Sequence, residues 1–215
     1  MIFLLFFPAQ SFGEDDFQYR QFLTLKLIDT KKIDLVLFNQ LQVNHDAHDV
    51  SFYLISPQLK FDFWKNVQLG LNYSYVNVKV FNSAAGRDEF RFHHRLELEL
   101  NPHWDIGEHL KISMRNRQEF RWIENNGSDN YRFRHRTNLE FPLKNVLPLQ
   151  SIYTYSEFFY DFADHRYNEN WTVPFGFKFK INEKSSISLF YMIQSRLTDT
   201  WVSNEIFGMN LIVGF

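Results

Sequence analysis

Cysteine is absent from the 215 residues, and glycine (8), proline (6) and methionine (4) are sparse. Without Cys there is no disulfide framework, thiolate zinc site, Cys nucleophile or lipid-anchored cysteine. No apolar run approaches the ~20 residues that a membrane-crossing helix needs. An excess of one charge sign is missing too: 23 Lys and Arg stand against 25 Asp and Glu, a formal net charge of -2. That balance argues against a chain built mainly to hold nucleic acid. No phosphate loop or dinucleotide fingerprint occurs, and no cofactor is expected.

Aromatic side chains, by contrast, are abundant: 25 Phe, 10 Tyr and 5 Trp. Mean hydropathy is nevertheless -0.35. Both hold together if apolar and polar residues alternate along strands, which averages out in a hydropathy window.

Residues Met1 to Gly13 carry a short apolar core, Ile2 to Phe7, then Ser11 and Gly13 ahead of Glu14-Asp15-Asp16. Small residues before acids suit a cut before Glu14. Residues 1–13 are therefore expected to be the remnant of an export signal, and 14–215 the mature body. The usual basic start is missing, so the N-terminus is expected to be truncated or misassigned. A buried N-terminal strand is the plainer alternative.

From Phe17 onward the dominant period is two. Leu35, Leu37, Leu41 and Val43 share one face; so do Leu69, Leu71, Tyr73 and Tyr75, and later Trp171, Val173, Phe175, Phe177, Phe179 and Ile181. Eleven such segments of about 10 to 14 residues follow one another, the length at which a tilted strand crosses a bilayer. No helical period is sustained. The alternate faces are charged. Leu110, Ile112 and Met114 alternate with Lys111, Ser113 and Arg115, and the series continues through Arg117, Glu119 and Arg121. A soluble sandwich would send these charges to water. A membrane barrel sends them to its lumen, because cations facing lipid cost ~2–4 kcal/mol each near the midplane.

Aromatics near both strand ends, such as Phe90, Trp122, Tyr131 and Phe141, look like interfacial girdles. Connections alternate between compact (Asp29 to Lys32, Asn101 to His109) and looser polar ones (Asn82 to Glu89, Glu124 to Asn130). The chain ends Gly208-x-x-Leu211-x-Val213-x-Phe215, which resembles the C-terminal assembly signal of bacterial outer-membrane barrels. The expected fold is thus all-β, an antiparallel transmembrane β-barrel of 10–12 strands in the bacterial outer membrane. Bacterial single-chain barrels have even strand numbers, so ten or twelve are expected, with twelve preferred over the eleven segments counted.

The order of features over residues 14 to 215 resembles an uncharacterised outer-membrane barrel family known as domain of unknown function 2490. The matching pieces are an opening aromatic strand with a Lys31-Lys32 turn, the strands Arg115-x-Arg117 and Arg132-x-Arg134-x-Arg136, the run Tyr155-Ser156-Glu157-Phe158, and the C-terminal signal. The resemblance implies an outer-membrane location. It brings neither an activity nor catalytic residues.

Two constellations could carry function. The first is a lumen charge ladder: Arg91, Arg95, Lys111, Arg115, Arg117, Arg121, Arg132, Arg134 and Arg136 against Glu97, Glu99, Glu119, Glu140, Glu157 and Asp161. Phe90-Arg-Phe-His-His-Arg and Tyr131-Arg-Phe-Arg-His-Arg echo one another, with Arg toward the outer end and Glu toward the periplasm. Such a ladder could steer small anionic solutes, or fill a narrow barrel with its own ion pairs. The second lies on the lipid face, where His94, Asn116, Gln118, His135, Thr137, Thr154 and Ser156 interrupt the apolar run. Simple hairpin register sets 94 opposite about 116, and 135 opposite about 118 and 157. In residue types, though not in spacing, this resembles the outer-membrane phospholipase family: Asn116 would orient His135, and His135 would take the proton of Ser156. Asp161, Asp164, His165 and Glu169, and likewise His45, Asp46, His48 and Asp49, read as solvated loop acids, so no metal is expected. Asn126-Gly-Ser matches a glycosylation sequon without consequence in a bacterial host. Expected partners are outer-membrane lipid, lipopolysaccharide and, through Phe215, the barrel-assembly machinery.

Overall fold

A computed structural model describes residues 11–12, 18–44, 48–83, 85–124, 130–144 and 146–215. Most of the export-signal segment, together with His45, Asp46 and the Asn126 sequon, lies outside them. Among the described residues every regular element is a strand. Eleven form the wall: β1 Gln18–Asp29, β2 Ile33–Asn44, β3 Asp49–Trp64, β4 Val67–Asn82, β5 Arg87–Ile106, β6 Leu110–Ile123, β7 Asn130–Pro142, β8 Leu149–Asp161, β9 Arg166–Lys180, β10 Ser185–Leu197 and β11 Trp201–Gly214. Each pairs antiparallel with the next, and β11 returns to β1 to close the cylinder. Ser11–Phe12 add a two-residue bridge beside Val202 and Ser203.

The preference for an even count is corrected here. All eleven periodic segments are strands, and the odd number is accommodated because the closing pair β11–β1 is parallel, running from Ile206↔Gln18 to Gly214↔Lys26. Hairpins force every other pair to be antiparallel, whereas the closing pair has no hairpin and takes whichever direction the count leaves. In consequence β1 begins at the end of the barrel where the looser loops lie and β11 finishes at the end with the tight turns. These are called the loop end and the turn end below.

The alternation resolves in the direction that is wrong for water. Leu59, Leu71, Leu98, Leu100, Phe158 and Leu189 point outward and are exposed, while Arg95, Glu97, Glu99, Arg117 and Glu119 point inward and are buried. The apolar face thus clads the outside of the wall. Inside, three sectors follow the strand order. Amides and hydroxyls line β1 to β4 (Gln40, Gln42, Ser56, Gln58, Asn72), and charges line β5 to β8. Rings and aliphatics line β8 to β11: Tyr155, Phe159, Trp171, Val173, Phe190, Met192 and Ile206.

That third sector overturns part of the face assignment for β9. Trp171 and Val173 point inward and Phe175 and Phe177 outward, because the register shifts on both sides of the strand between Thr172 and Gly176. A bulge adds one residue and reverses the phase; Pro174, which has no N–H to give a ladder, sits within it. The inward rings are accommodated by missing side chains opposite. A Cβ on Gly208 would come within 2.0 Å of the Phe190 ring, and one on Gly176 within 2.3 Å of the Tyr153 ring.

The parallel seam has a direct test. Leu23 and Leu211 are register partners across it, and the chain has no competing cysteine. Oxidation of a Leu23→Cys/Leu211→Cys variant is expected to give an intramolecular cross-link that shifts its mobility under denaturing electrophoresis. Leu23→Cys/Leu189→Cys should not cross-link. A failed first pair would contradict the closure.

Candidate functional site

The charge sector is built on β5, β6, β7 and β8, whose register lays the ladder out in rows. Glu97, Glu119, Arg132 and Asp161 form one row; Glu99, Arg117, Arg134 and Phe159 form the next toward the turn end; Arg115, Arg136 and Glu157 form a third. Within rows like charges often stand directly opposite: Glu97 faces Glu119, Arg117 faces Arg134, and Arg115 faces Arg136. Such pairs repel. Long side chains resolve this by reaching diagonally into the neighbouring row.

Arg117 donates through Nε to Glu99 Oε1 at 2.7 Å and lies 2.9 Å from Glu97. Glu119 accepts from Arg132 Nε and Arg134 Nη1, both at 2.8 Å. Glu157 accepts from three guanidiniums: Arg115 at 2.7 Å, Arg134 at 2.9 Å and Arg136 at 2.6 Å. Both acids have no exposed surface (0 %). Charge-assisted bonds of this length are the strong ones, and the fork geometry of Arg is what lets one cation hold two carboxylates.

Ladder members nearer the ends are held less tightly. Arg121 reaches Asp161 at 3.2 Å, while Glu140 accepts from Ser151 at 2.7 Å and lies 3.8 Å from Lys178. Arg91 and Arg95 form no ion pair among the described residues, and Arg95 is buried with its Nε unsatisfied.

The periodicity did not single out Arg20, yet it is fully buried (0 %) and central. Its Nη2 donates to Gln42 Oε1 at 2.5 Å and to Gln194 Oε1 at 2.9 Å, and its guanidinium carbon lies 4.5 Å from the centre of the Trp171 ring. Arg134 reaches the same ring from the other side of the molecule, at 5.2 Å. Since β1 and β7 are five strands apart around the cylinder, the chain Arg134–Trp171–Arg20 spans the lumen. A lone Arg in the inward phase of the opening strand was the available signal. Glu169, read from sequence as a loop acid, joins this waist: it lies 3.5 Å from Arg132 and 3.2 Å from Arg196, and accepts from the Trp171 indole at 2.7 Å. Asp161 and Asp164 are likewise engaged with arginines. Among the described residues no three metal-ligating side chains gather.

The outer-wall constellation assembles differently from the simple register. His94 pairs with Trp122, and its Nδ1 lies 2.8 Å from the Tyr73 hydroxyl, far from Asn116. His135 sits opposite Asn116 and Phe158, not 118 and 157. The displacement of His94 arises in the β5–β6 hairpin. Asn101 to Ile106 continue the strand, and the turn is only Gly107–His109, with Gly107 at φ 61°. Asn116 Nδ2 donates to the Leu100 carbonyl at 3.0 Å, which leaves its Oδ1 to accept from His135 Nδ1 at 2.7 Å. His135 Nε2 is then the acceptor, and the hydroxyl beside it is that of Thr137, at 3.1 Å.

Ser156 accepts instead from Asn170 Nδ2 at 3.3 Å, and Thr172 donates to Asn170 Oδ1 at 2.8 Å. No His135–Ser156 hydrogen bond forms among the described contacts. Asn116 and His135 are thus hydrogen-bonded to each other, while Ser156 bonds elsewhere. Thr137 lies seven residues from the loop end of β7 and five from its turn end, near mid-wall. The arrangement satisfies polar groups on an apolar wall.

Glu157 accepts hydrogen bonds from three guanidiniums, so its neutral isostere leaves buried charge unpaired. Glu157→Gln is expected to lower unfolding stability by about 3–5 kcal/mol, read as a fall in the urea midpoint, whereas the half-buried Glu140→Gln should cost clearly less. Equal effects would mean that the network is not centred on Glu157.

The family model that matches the chain is described as "Protein of unknown function (DUF2490)" and covers residues 17–204. No curated protein and no solved structure matches.

Proposed function

Since the chain belongs to the DUF2490 family, whose description states no activity, we propose from geometry alone that it is a bacterial outer-membrane β-barrel, closed at its waist in the resting state. The observation that carries this reading is the inversion of the wall: exposed Leu, Phe and Trp outside, buried Arg and Glu inside. In water an eleven-stranded cylinder so clad would present a very large contiguous apolar surface, far beyond the few hundred Å² typical of soluble monomers. Lipid removes that cost, and a closed barrel leaves no unpaired strand edge in lipid. Residues 1–13 act as the export signal in this reading, and Phe215 presents the C-terminal strand to the assembly machinery.

Closure follows from the waist. The guanidinium–indole–guanidinium bridge and the Glu119 and Glu157 hubs occupy the middle of the lumen. Paired charges there form a plug that belongs to the wall itself. A narrow anion pore is the second reading, favoured by Arg91 and Arg95 toward the loop end, which form no close ion pair among the described residues. In that case the waist would act as a gate. A lipid-modifying role at His135 is the third, and it has the least support.

The test combines insertion and conductance. Protein refolded into phospholipid vesicles is expected to show heat-modifiable mobility and protection of the wall from protease. In planar bilayers it should be electrically silent, while a Trp171→Ala/Arg20→Ala variant should conduct with anion preference. A steady current from the unaltered protein would overturn closure; failure to insert would overturn the membrane reading.

A further inference from the structure

On the turn side of the waist the lumen opens into a half-open cavity of about 250 Å3. At ~30 Å3 per water molecule, that is room for about eight waters or one compact solute. Its charged lining is one-sided. Lys60, Arg115, Arg117 and Arg136 face a single carboxylate, Glu99, and the rest of the lining is neutral.

How far each of these charges is already satisfied decides what the cavity can do. Arg117 is spent on Glu97 and Glu99, and Glu99 accepts a further bond from Asn101 at 3.0 Å. The other three cations have capacity left. Lys60 makes no hydrogen bond or ion pair with any described residue. Arg115 uses only Nη2, on Glu157, and its buried Nε has no partner. Arg136 uses Nε and Nη2 on the same Glu157 and lies over the Tyr155 ring at 4.2 Å, leaving Nη1 unassigned. Glu157 cannot neutralise more, because Arg134 also draws on it.

From this geometry we infer that the cavity is a binding site for a compact oxyanion, a phosphate or small polycarboxylate, held by Lys60, Arg115 and Arg136. Planar guanidinium donors match the oxygens of such groups, and a flexible ammonium supplies an adjustable third contact. The low-dielectric wall strengthens the attraction, and Lys60, Asn101, Ser113 and Asn138 of the lining lie on the turn side of the waist. Binding there does not require the barrel to conduct. It stands independently of the membrane reading, since the pocket is built by the folded barrel in any surroundings.

Calorimetric titration of the full chain, folded in detergent micelles at fixed ionic strength, tests this with inorganic phosphate and citrate as separate probes. Saturable one-to-one binding of at least one probe is expected. Lys60→Met should weaken it roughly ten-fold or more, the scale of one charge-assisted contact, and Lys60→Arg should recover most of it. Lys60 makes no hydrogen bond or close ion pair that the substitution would break, so folding of the Met variant, followed by heat-modifiable mobility, should be unchanged. Arg91→Gln, which removes a cation near the loop end, should leave binding as it was. Absence of saturable binding by folded protein, undiminished binding by Lys60→Met, or equal weakening by Arg91→Gln would each overturn the site. Preference for one probe over the other would identify the source of the oxygens as tetrahedral or carboxylate.

Discussion

Charge placed inside a narrow cylinder has to be neutralised there, because little water reaches it. Most of what is specific about this barrel answers to that requirement. Burying an isolated ion costs several kcal/mol even after relaxation, and the waist holds many. The solution adopted is a lattice in which arginines span two rows and carboxylates collect two or three donors each. Arg suits this role where Lys would not, since a fork can serve two acceptors without moving. It is also why like charges can stand opposite one another on adjacent strands: the strand pairing fixes Cα positions, while neutralisation takes place between rows.

The remaining sectors are shaped around the lattice. The ring cluster on β8 to β11 provides apolar mass that excludes water from the hubs, and its Trp171 doubles as a cation acceptor for Arg20 and Arg134. Gly176 and Gly208 give way beneath Tyr153 and Phe190 so that these rings fit inside. On the amide side, Ser74 and Asn72 donate to Glu97 at 3.2 and 3.3 Å, extending the same satisfaction to the uncharged wall. Outside, the Asn116–His135–Thr137 and Ser156–Asn170–Thr172 runs obey the same rule on a smaller scale: polar groups on an apolar face bond to each other.

Much of this was legible in the order of residues, and what was not has identifiable causes. Period-two patterning located all eleven wall strands, since one face of each carries side chains that lipid or water would reject. The inward ladder on β5 to β8 could be read for the same reason. Three features could not. Strand closure depends on the direction of a pair that no hairpin connects, so counting hairpins cannot give it. The inward turn of Trp171 and Val173 depends on a bulge, which reverses phase without altering composition. The partner of His94 depends on where a turn ends: extending β5 to Ile106 moved it away from Asn116. Arg20 escaped because a single cation in a strand has no periodic signature. Its importance lies in Gln42, Gln194 and Trp171, which are far away in the chain.

The parallel seam has a consequence for how the chain could be rewired. In a cylinder with an even number of hairpin-linked strands, first and last strands have their free ends side by side, and a short linker can join them to make a circular permutant. Here the free ends lie at opposite rims, since β1 starts beside Ile206 and β11 ends beside Lys26. A joining peptide would have to run the height of the cylinder, either through an interior already occupied by guanidiniums and rings or along the apolar exterior. Neither route is open to an ordinary polar linker, so this wall has a fixed beginning that cannot be moved to another hairpin.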